Sequence, residues 1–227
     1  MLNIINNNMK VISFNTMYIE YEKKYNPNSK FLLNSDDNER LLEIFKIINK
    51  NLNIDTVICL QECDLQLLNM FKTLLSTNYS IFQDEIDNNI FMVTISHNSQ
   101  DFKQEDMSKH IYKNTAHGYL IISNSVYRII NCHLIPKFAA KNQDRFAIIK
   151  EKSKNKKCII AGDFNEKYNK LNNNFLNYSI PYFGPTYKFK KDLDHIIFNF
   201  KSKYIVKKLD TYSMSDHCMI YLDIIND

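Results

Sequence analysis

The sequence predicts an α/β layered domain, and three observations carry that expectation. Short apolar runs of strand length, each bounded by turn-forming residues, recur along all 227 residues. In the first half they alternate with stretches whose apolar residues fall at helical period. In the last third strands follow one another directly, over Leu193 to Phe200, Tyr204 to Leu209 and Cys218 to Ile225.

The first run, Lys10 to Asn15 (K-V-I-S-F-N), ends on an amide. The Asn-rich segment 1–8 before it has little to bury and is expected to be flexible, with 9–227 forming a single domain. From Thr16 to Asn38 the apolar spacing fits neither helix nor strand for long. A loop of this length starting at a strand tip is expected to lie over a site. Its Tyr18, Tyr21 and Tyr25 would either stack on bases or rest on the protein's own surface. Ser35 or Asp36 then caps a helix whose Leu41, Leu42, Ile44, Phe45, Ile47, Ile48 and Leu52 form a broad apolar face. The strand Thr56 to Glu62 (T-V-I-C-L-Q-E) ends on a carboxylate. A second helix follows, capped by Asp64, with Leu65, Leu68, Phe71, Leu74 and Leu75 expected to face inward.

Two short runs between Tyr79 and Ile95 flank D-E-I-D-N-N and read as a hairpin with an acidic turn. His97 to His117 is polar, and its three histidines, His97, His110 and His117, are expected to be solvated. Gly118 to Ser123 and Val126 to Leu134 form a hairpin around Asn124-Ser125; the second arm closes on N-C-H-L and offers Asn131 and His133. Helical spacing returns over Phe138 to Lys152, where Lys137, Lys141 and Arg145 recur at i, i+4, i+8 as a basic stripe. Lys157 to Glu166 reads K-C-I-I-A-G-D-F-N-E, a strand buried on both faces that stops at Gly162 and delivers Asp163 and Asn165. Leu171 to Pro181 is helix or loop, L-D-H-I-I puts Asp194 at the head of a strand, and S-D-H supplies Ser215, Asp216 and His217.

Composition narrows the class. A net charge of +4 permits an anionic substrate without demanding one. No apolar stretch reaches the roughly 18 to 20 residues of a membrane span, and the first residues lack the apolar core of a signal peptide, so an intracellular, unsecreted protein is expected. A monomer is expected as well. The five cysteines form no C-x-x-C pair and read as reduced, buried hydrophobes.

Taken in order, N, QE, NxHL, GDxN, LDxI and SDH resemble the endonuclease/exonuclease/phosphatase superfamily, from Met9 to Ile225. The resemblance implies a four-layer sandwich: two mostly antiparallel β-sheets packed face to face, with helices on both outer faces and the motif residues gathered on one rim. It implies a phosphoesterase dependent on Mg²⁺, with Mn²⁺ a substitute. In that reading Glu62 is the principal metal ligand, Asn15 a ligand or a partner to the metal's waters, and Asp216 completes the metal shell. Asp163 orients or deprotonates the attacking water, and Asn165 holds a phosphate oxygen or the nucleophile. His217, oriented by Asp194, and His133 donate hydrogen bonds to the phosphoryl group, while His195 has no catalytic part. The leading substrate is nucleic acid, met by Tyr18, Lys141, Arg145 and Asn131. The stretch G-P-T-Y-K-F resembles inositol 5-phosphatases and makes Tyr187 and Lys188 phosphate contacts, so a phosphoinositide phosphatase is the alternative enzyme. A catalytically silent binding module is the non-enzymatic one.

Overall fold

The computed structural model describes residues 8–25, 27–28, 37–105, 117–137, 146–188 and 190–225. The expected flexible segment therefore falls outside the described residues except for Asn8, as do the caps Ser35 and Asp36, His110, and Lys141 and Arg145 of the basic stripe. Eleven strands and five α-helices are described: β1 (Met9–Asn15), α1 (Ile19–Tyr25), α2 (Asp37–Asn51), β2 (Thr56–Asp64), α3 (Leu65–Leu74), β3 (Tyr79–Asp87), β4 (Ile90–His97), β5 (Lys103–Gln104), β6 (Gly118–Ser123), β7 (Tyr127–His133), α4 (Ala147–Lys152), β8 (Lys157–Asp163), α5 (Tyr168–Asn174), β9 (Asp194–Phe198), β10 (Lys203–Leu209) and β11 (Met219–Ile225).

The strands form a six-stranded sheet in the order β10-β11-β1-β2-β4-β3 and a five-stranded sheet in the order β5-β6-β7-β8-β9. Pairing is antiparallel except for one parallel pair in each sheet, β1 with β2 and β7 with β8. Period-2 alternation divides the side chains between layers. On β1, Val11 enters the core between the sheets, whereas Ile12 and Phe14 point outward to meet Leu41, Ile44, Phe45 and Ile48 of α2 and Leu67, Leu68 and Phe71 of α3. On β7 and β8, Ile129, Ile159 and Ala161 face the first sheet. Ile130, Cys158 and Ile160 face outward, with Phe146, Ile149 of α4, Leu171 of α5 and Phe175 against them. The result is four layers, helix–sheet–sheet–helix. Each fully buried Ile, Leu or Phe in them contributes about 1.5–3 kcal/mol relative to exposure.

The helices are narrower in contact than the sequence suggests. Leu42, Leu65 and Leu74 are exposed, because only one stripe of each helix touches the sheet. Asp64 caps α3 as expected, accepting from Leu67 N at 2.7 Å. The stretch after Asn15 is not all loop, since it contains α1. Among the described residues no helix is long and apolar enough to cross a membrane.

Candidate active site

Alternation also explains where the polar motif residues go. Asn15, Gln61, His133, Asp163 and Asp194 occupy inward-facing positions at or next to the same end of β1, β2, β7, β8 and β9, just past the apolar core between the sheets. Glu62 departs from this rule. Between Leu60 and Cys63 the β2–β4 pairing sets two residues, Gln61 and Glu62, against the single Met92, one more than the register allows, and Glu62 adopts φ +51°. This bulge returns Cys63 to the outer core and turns Glu62 toward the rim. Met17 (φ +58°) and Asn165 (φ +47°) are held in the same left-handed region; all three line one cleft of about 360 Å³. Strain of this kind at three non-glycine residues marks a site held in place by its surroundings.

Asn15 Nδ2 donates to Glu62 Oε1 at 3.0 Å and to Asp163 Oδ2 at 3.3 Å, and its Oδ1 accepts from Met17 N. With its oxygen engaged by Met17 N and its N–H groups facing the carboxylates, Asn15 stands directly beside Glu62, the expected metal ligand. Glu62 Oε2 accepts from Tyr18 N. His133 Nε2 stands 3.6 Å from both Glu62 Oε1 and Asp163 Oδ2. Asp163 Oδ1 accepts from Asn165 N at 2.8 Å. Burial, reinforced by Asp194 and opposed by His217, pushes the Asp163 carboxyl up to about 7.

Facing Asp163, His217 Nδ1 bonds Asp194 Oδ2 at 2.8 Å, while its Nε2 lies 3.8 Å from Asp163 Oδ2 and 3.8 Å from Asp216 Oδ1. Burial alone would lower the His217 pKa, but Asp194 and Asp216 outweigh it and hold the imidazole well above its ordinary value. The Asp194 carboxylate, 1% exposed, thus orients and charges a ring whose other nitrogen points into the cleft. His195 faces away; its Nε2–H is shared by the carbonyls of Glu166 and Asp192, both at 2.9 Å.

Three expected substrate contacts are placed differently. Asn131 is fully buried, and its Nδ2 donates to Leu60 O, Val93 O and Thr94 Oγ1 while its Oδ1 accepts from Gln61 Nε2 at 2.8 Å. It is a polar bridge between the sheets and touches nothing in the cleft. Lys188 lies beside the cleft but is neutralised by Glu22 at 2.8 Å and Asp216 at 3.4 Å, so an incoming phosphate would have to displace Glu22. Tyr18 does line the cleft, yet its ring packs edge-on to Tyr21 and against the Ile86, Ile90, Met92 and Leu120 cluster. Tyr187 stacks 4.9 Å from His217.

The sequence missed Glu22 and His117. Glu22 reaches the cleft only because α1 is tied down by distant partners, among them Tyr21 Oη donating to Asp87 at 2.6 Å. His117, expected in solvent, lines the cleft. Its signal was the hairpin register, which pairs Gly118 with His133 and so puts the preceding residue beside the motif histidine.

The sequence model of the Endonuclease/Exonuclease/phosphatase family matches residues 12–217. The chain belongs to this family. As a member of the endonuclease/exonuclease/phosphatase family it is a phosphoesterase, and solved relatives share its fold. D. rerio TDP2 complexed with single-strand DNA product superposes with a TM-score of 0.69 at 16% identity, covering 96% of this chain and 99% of that one. An endonuclease/exonuclease/phosphatase family protein from Leptotrichia buccalis gives 0.68 at 17% identity, covering 95% and 99%. A mannosyl-6-phosphatase from Bacteroides thetaiotaomicron gives 0.67 at 14% identity, covering 96% and 100%. At such identities the likeness is one of fold. No curated protein matches the sequence.

Proposed function

We propose that the chain is a metal-dependent phosphodiesterase acting on nucleic acid. The observation that carries this reading is the Asp194–His217 pair set opposite Asp163 in one cleft, with His217 Nε2 and Asp163 Oδ2 3.8 Å apart. A donor placed opposite a base is what in-line hydrolysis of a phosphate ester requires. Asp163 orients the attacking water and takes its proton. His217, held by Asp194, donates to the phosphoryl oxygens as charge grows on them, and His133 offers a second hydrogen bond beside Glu62.

The donor set is rich in carboxylates, which suits a hard divalent cation, Mg²⁺ or Mn²⁺. Glu62 is the best-placed ligand, because its strained backbone turns a carboxylate into the cleft, and Asp216 can join it. Asp163, Asp194 and His217 also bring ligand atoms within 4.8 Å of one another. A cation among them would break the 2.8 Å bond that orients His217, so Glu62 is preferred. When bound, the cation supplies neutralisation of the non-bridging phosphate oxygens.

Nucleic acid is favoured by the DNA product named with the D. rerio relative, whose fold this chain shares; Tyr18 and Tyr21 line the cleft but pack on each other and on the Ile86 cluster, so a base would meet only their edges. A phosphomonoesterase is the second reading, favoured by the G-P-T-Y-K stretch, whose Tyr187 packs on His217. Turnover of bis(p-nitrophenyl) phosphate, a diester, and of p-nitrophenyl phosphate, a monoester, with Mg²⁺ and with EDTA separates either enzyme from a silent binding module. A panel of labelled DNA, RNA, 5′-phosphotyrosyl DNA and inositol phosphates then separates the substrates. Glu62→Gln should raise the Mg²⁺ concentration for half-maximal rate; an unchanged requirement removes Glu62 from the role.

A further inference from the structure

We propose that Glu22 is a specificity-determining residue: by holding Lys188 it keeps dianionic phosphate monoesters out of the cleft and reserves it for the singly charged phosphate of a diester; this rests on the phosphodiesterase reading of the same cleft. Glu22 Oε1 accepts from Lys188 Nζ at 2.8 Å, and Asp216 Oδ2 lies 3.4 Å from the same nitrogen. The other oxygen of Asp216 is 3.8 Å from His217 Nε2, so the Lys188 ammonium stands one carboxylate away from the donor that faces the phosphoryl group. The backbone fixes that nearness. Lys188 N donates to Asp216 O at 2.9 Å, and the preceding Tyr187 forms a β-bridge with His217.

A phosphate monoester carries roughly two negative charges above neutral pH, whereas a diester carries one. The cleft is lined by the carboxylates of Glu22, Glu62, Asp163 and Asp216, so a second substrate charge needs a cation to meet it. Lys188 is placed to supply one, but it is already engaged by two of those carboxylates. A monoester that took Lys188 would leave Glu22, only 8% exposed, without that cation, and an uncompensated buried charge is strongly unfavourable. Nor is Glu22 free to swing away. Helix α1, which carries it, is tied down where Tyr18 N donates to Glu62 Oε2 at 3.0 Å and where Tyr21 Oη donates to Asp87 Oδ2 at 2.6 Å. A carboxylate of the protein thus stands where the extra charge of a monoester would be received.

The experiment compares kcat/KM on p-nitrophenyl phosphate with that on bis(p-nitrophenyl) phosphate, and measures the affinity for inorganic phosphate by calorimetry in EDTA at about pH 8, where phosphate is mainly a dianion. Glu22→Gln keeps the size of the side chain and removes its charge. It should raise the monoester-to-diester ratio of kcat/KM by about 10-fold and tighten phosphate binding by about 10-fold. Adding Lys188→Met should abolish both gains, because the two residues act as a pair. An unchanged ratio, an unchanged phosphate affinity, or gains that survive Lys188→Met would each overturn the proposal. If Glu22→Gln does not fold, Glu22→Ala takes its place with the same outcomes expected. Absence of turnover on every phosphate ester would instead remove the phosphodiesterase reading, and calorimetry would still decide whether Glu22 keeps the dianion from Lys188. An unchanged phosphate affinity in an enzyme that still cleaves the diester strikes the role of Glu22 alone.

Discussion

A side chain at Gly162 would put its first carbon 1.8 Å from the carbonyl oxygen of Cys132, on the neighbouring parallel strand, and the residue sits at φ +154°. Neither strand can retreat, since the next residue of each is a cleft side chain, Asp163 or His133. Gly162→Ala is therefore expected to lose about 4 kcal/mol or more of stability, or to leave no folded protein, as read by urea denaturation. The adjacent residue separates chemistry from folding. Asp163→Asn keeps an acceptor for Asn165 N but sets an amide nitrogen against Asn15 Nδ2, now 3.3 Å from Asp163 Oδ2. That donor–donor contact should cost about 1–2 kcal/mol. Turnover should fall by about 10² to 10⁴-fold, the usual range for a lost general base. A variant within a factor of three of wild type would show that Asp163 is no base.

At the level of elements, the dyad joins β9 of one sheet to the segment entering β11 of the other, and its members should act as one unit. His217→Ala is expected to cost about 10² to 10³-fold in kcat. Adding Asp194→Asn should cost little more, because an absent ring needs no orienting; losses that multiply would mean the two work separately. The motif residues that lie at strand ends were legible in the sequence, because an apolar run that closes on Asn15, His133 or Asp163, or opens on Asp194, states both a strand and its inward face. Asn131 misled for the same reason. At period 2 it shares a face with His133, but it lies one step deeper, inside the sandwich, where its amide meets Leu60 O and Val93 O. The bulge that aims Glu62 left no mark in T-V-I-C-L-Q-E, since its cause is the pairing with β4. Helix α1, seven residues long, depends on contacts with Glu62, Asp87 and Lys188 that no local pattern encodes.

Across the whole molecule, all five cysteines are free and buried. Burial pushes the Cys158 thiol up to about 12, with Arg128 pulling the other way. The unfolded chain releases that proton near pH 9 and the folded one does not, so above pH 9 the unfolded state binds fewer protons and stability falls as pH rises. The penalty of Cys158→Ala, measured by urea denaturation under reducing conditions, should therefore shrink by about 1–2 kcal/mol between pH 8 and pH 10. A penalty independent of pH would mean that the thiol ionises equally in both states. One sheet supplies Asn15 and Glu62 to the cleft and the other supplies His133, Asp163 and Asp194. Such a cleft is only as well defined as the two sheets' resistance to sliding over each other. Side chains such as Val11, Ile129 and Ile159 are smooth and non-directional, and a slip of one residue would move half the site by about 3.3 Å. Asn131 is the dowel against that shear: anchored on β7, it donates to backbone oxygens of β2 and β4, which fixes the two plates along the strand axis. Asn131→Leu keeps the volume and removes the dowel, so it should blunt turnover at temperatures where circular dichroism still shows a folded protein. Alignment, as much as cohesion, is what this residue gives the sandwich.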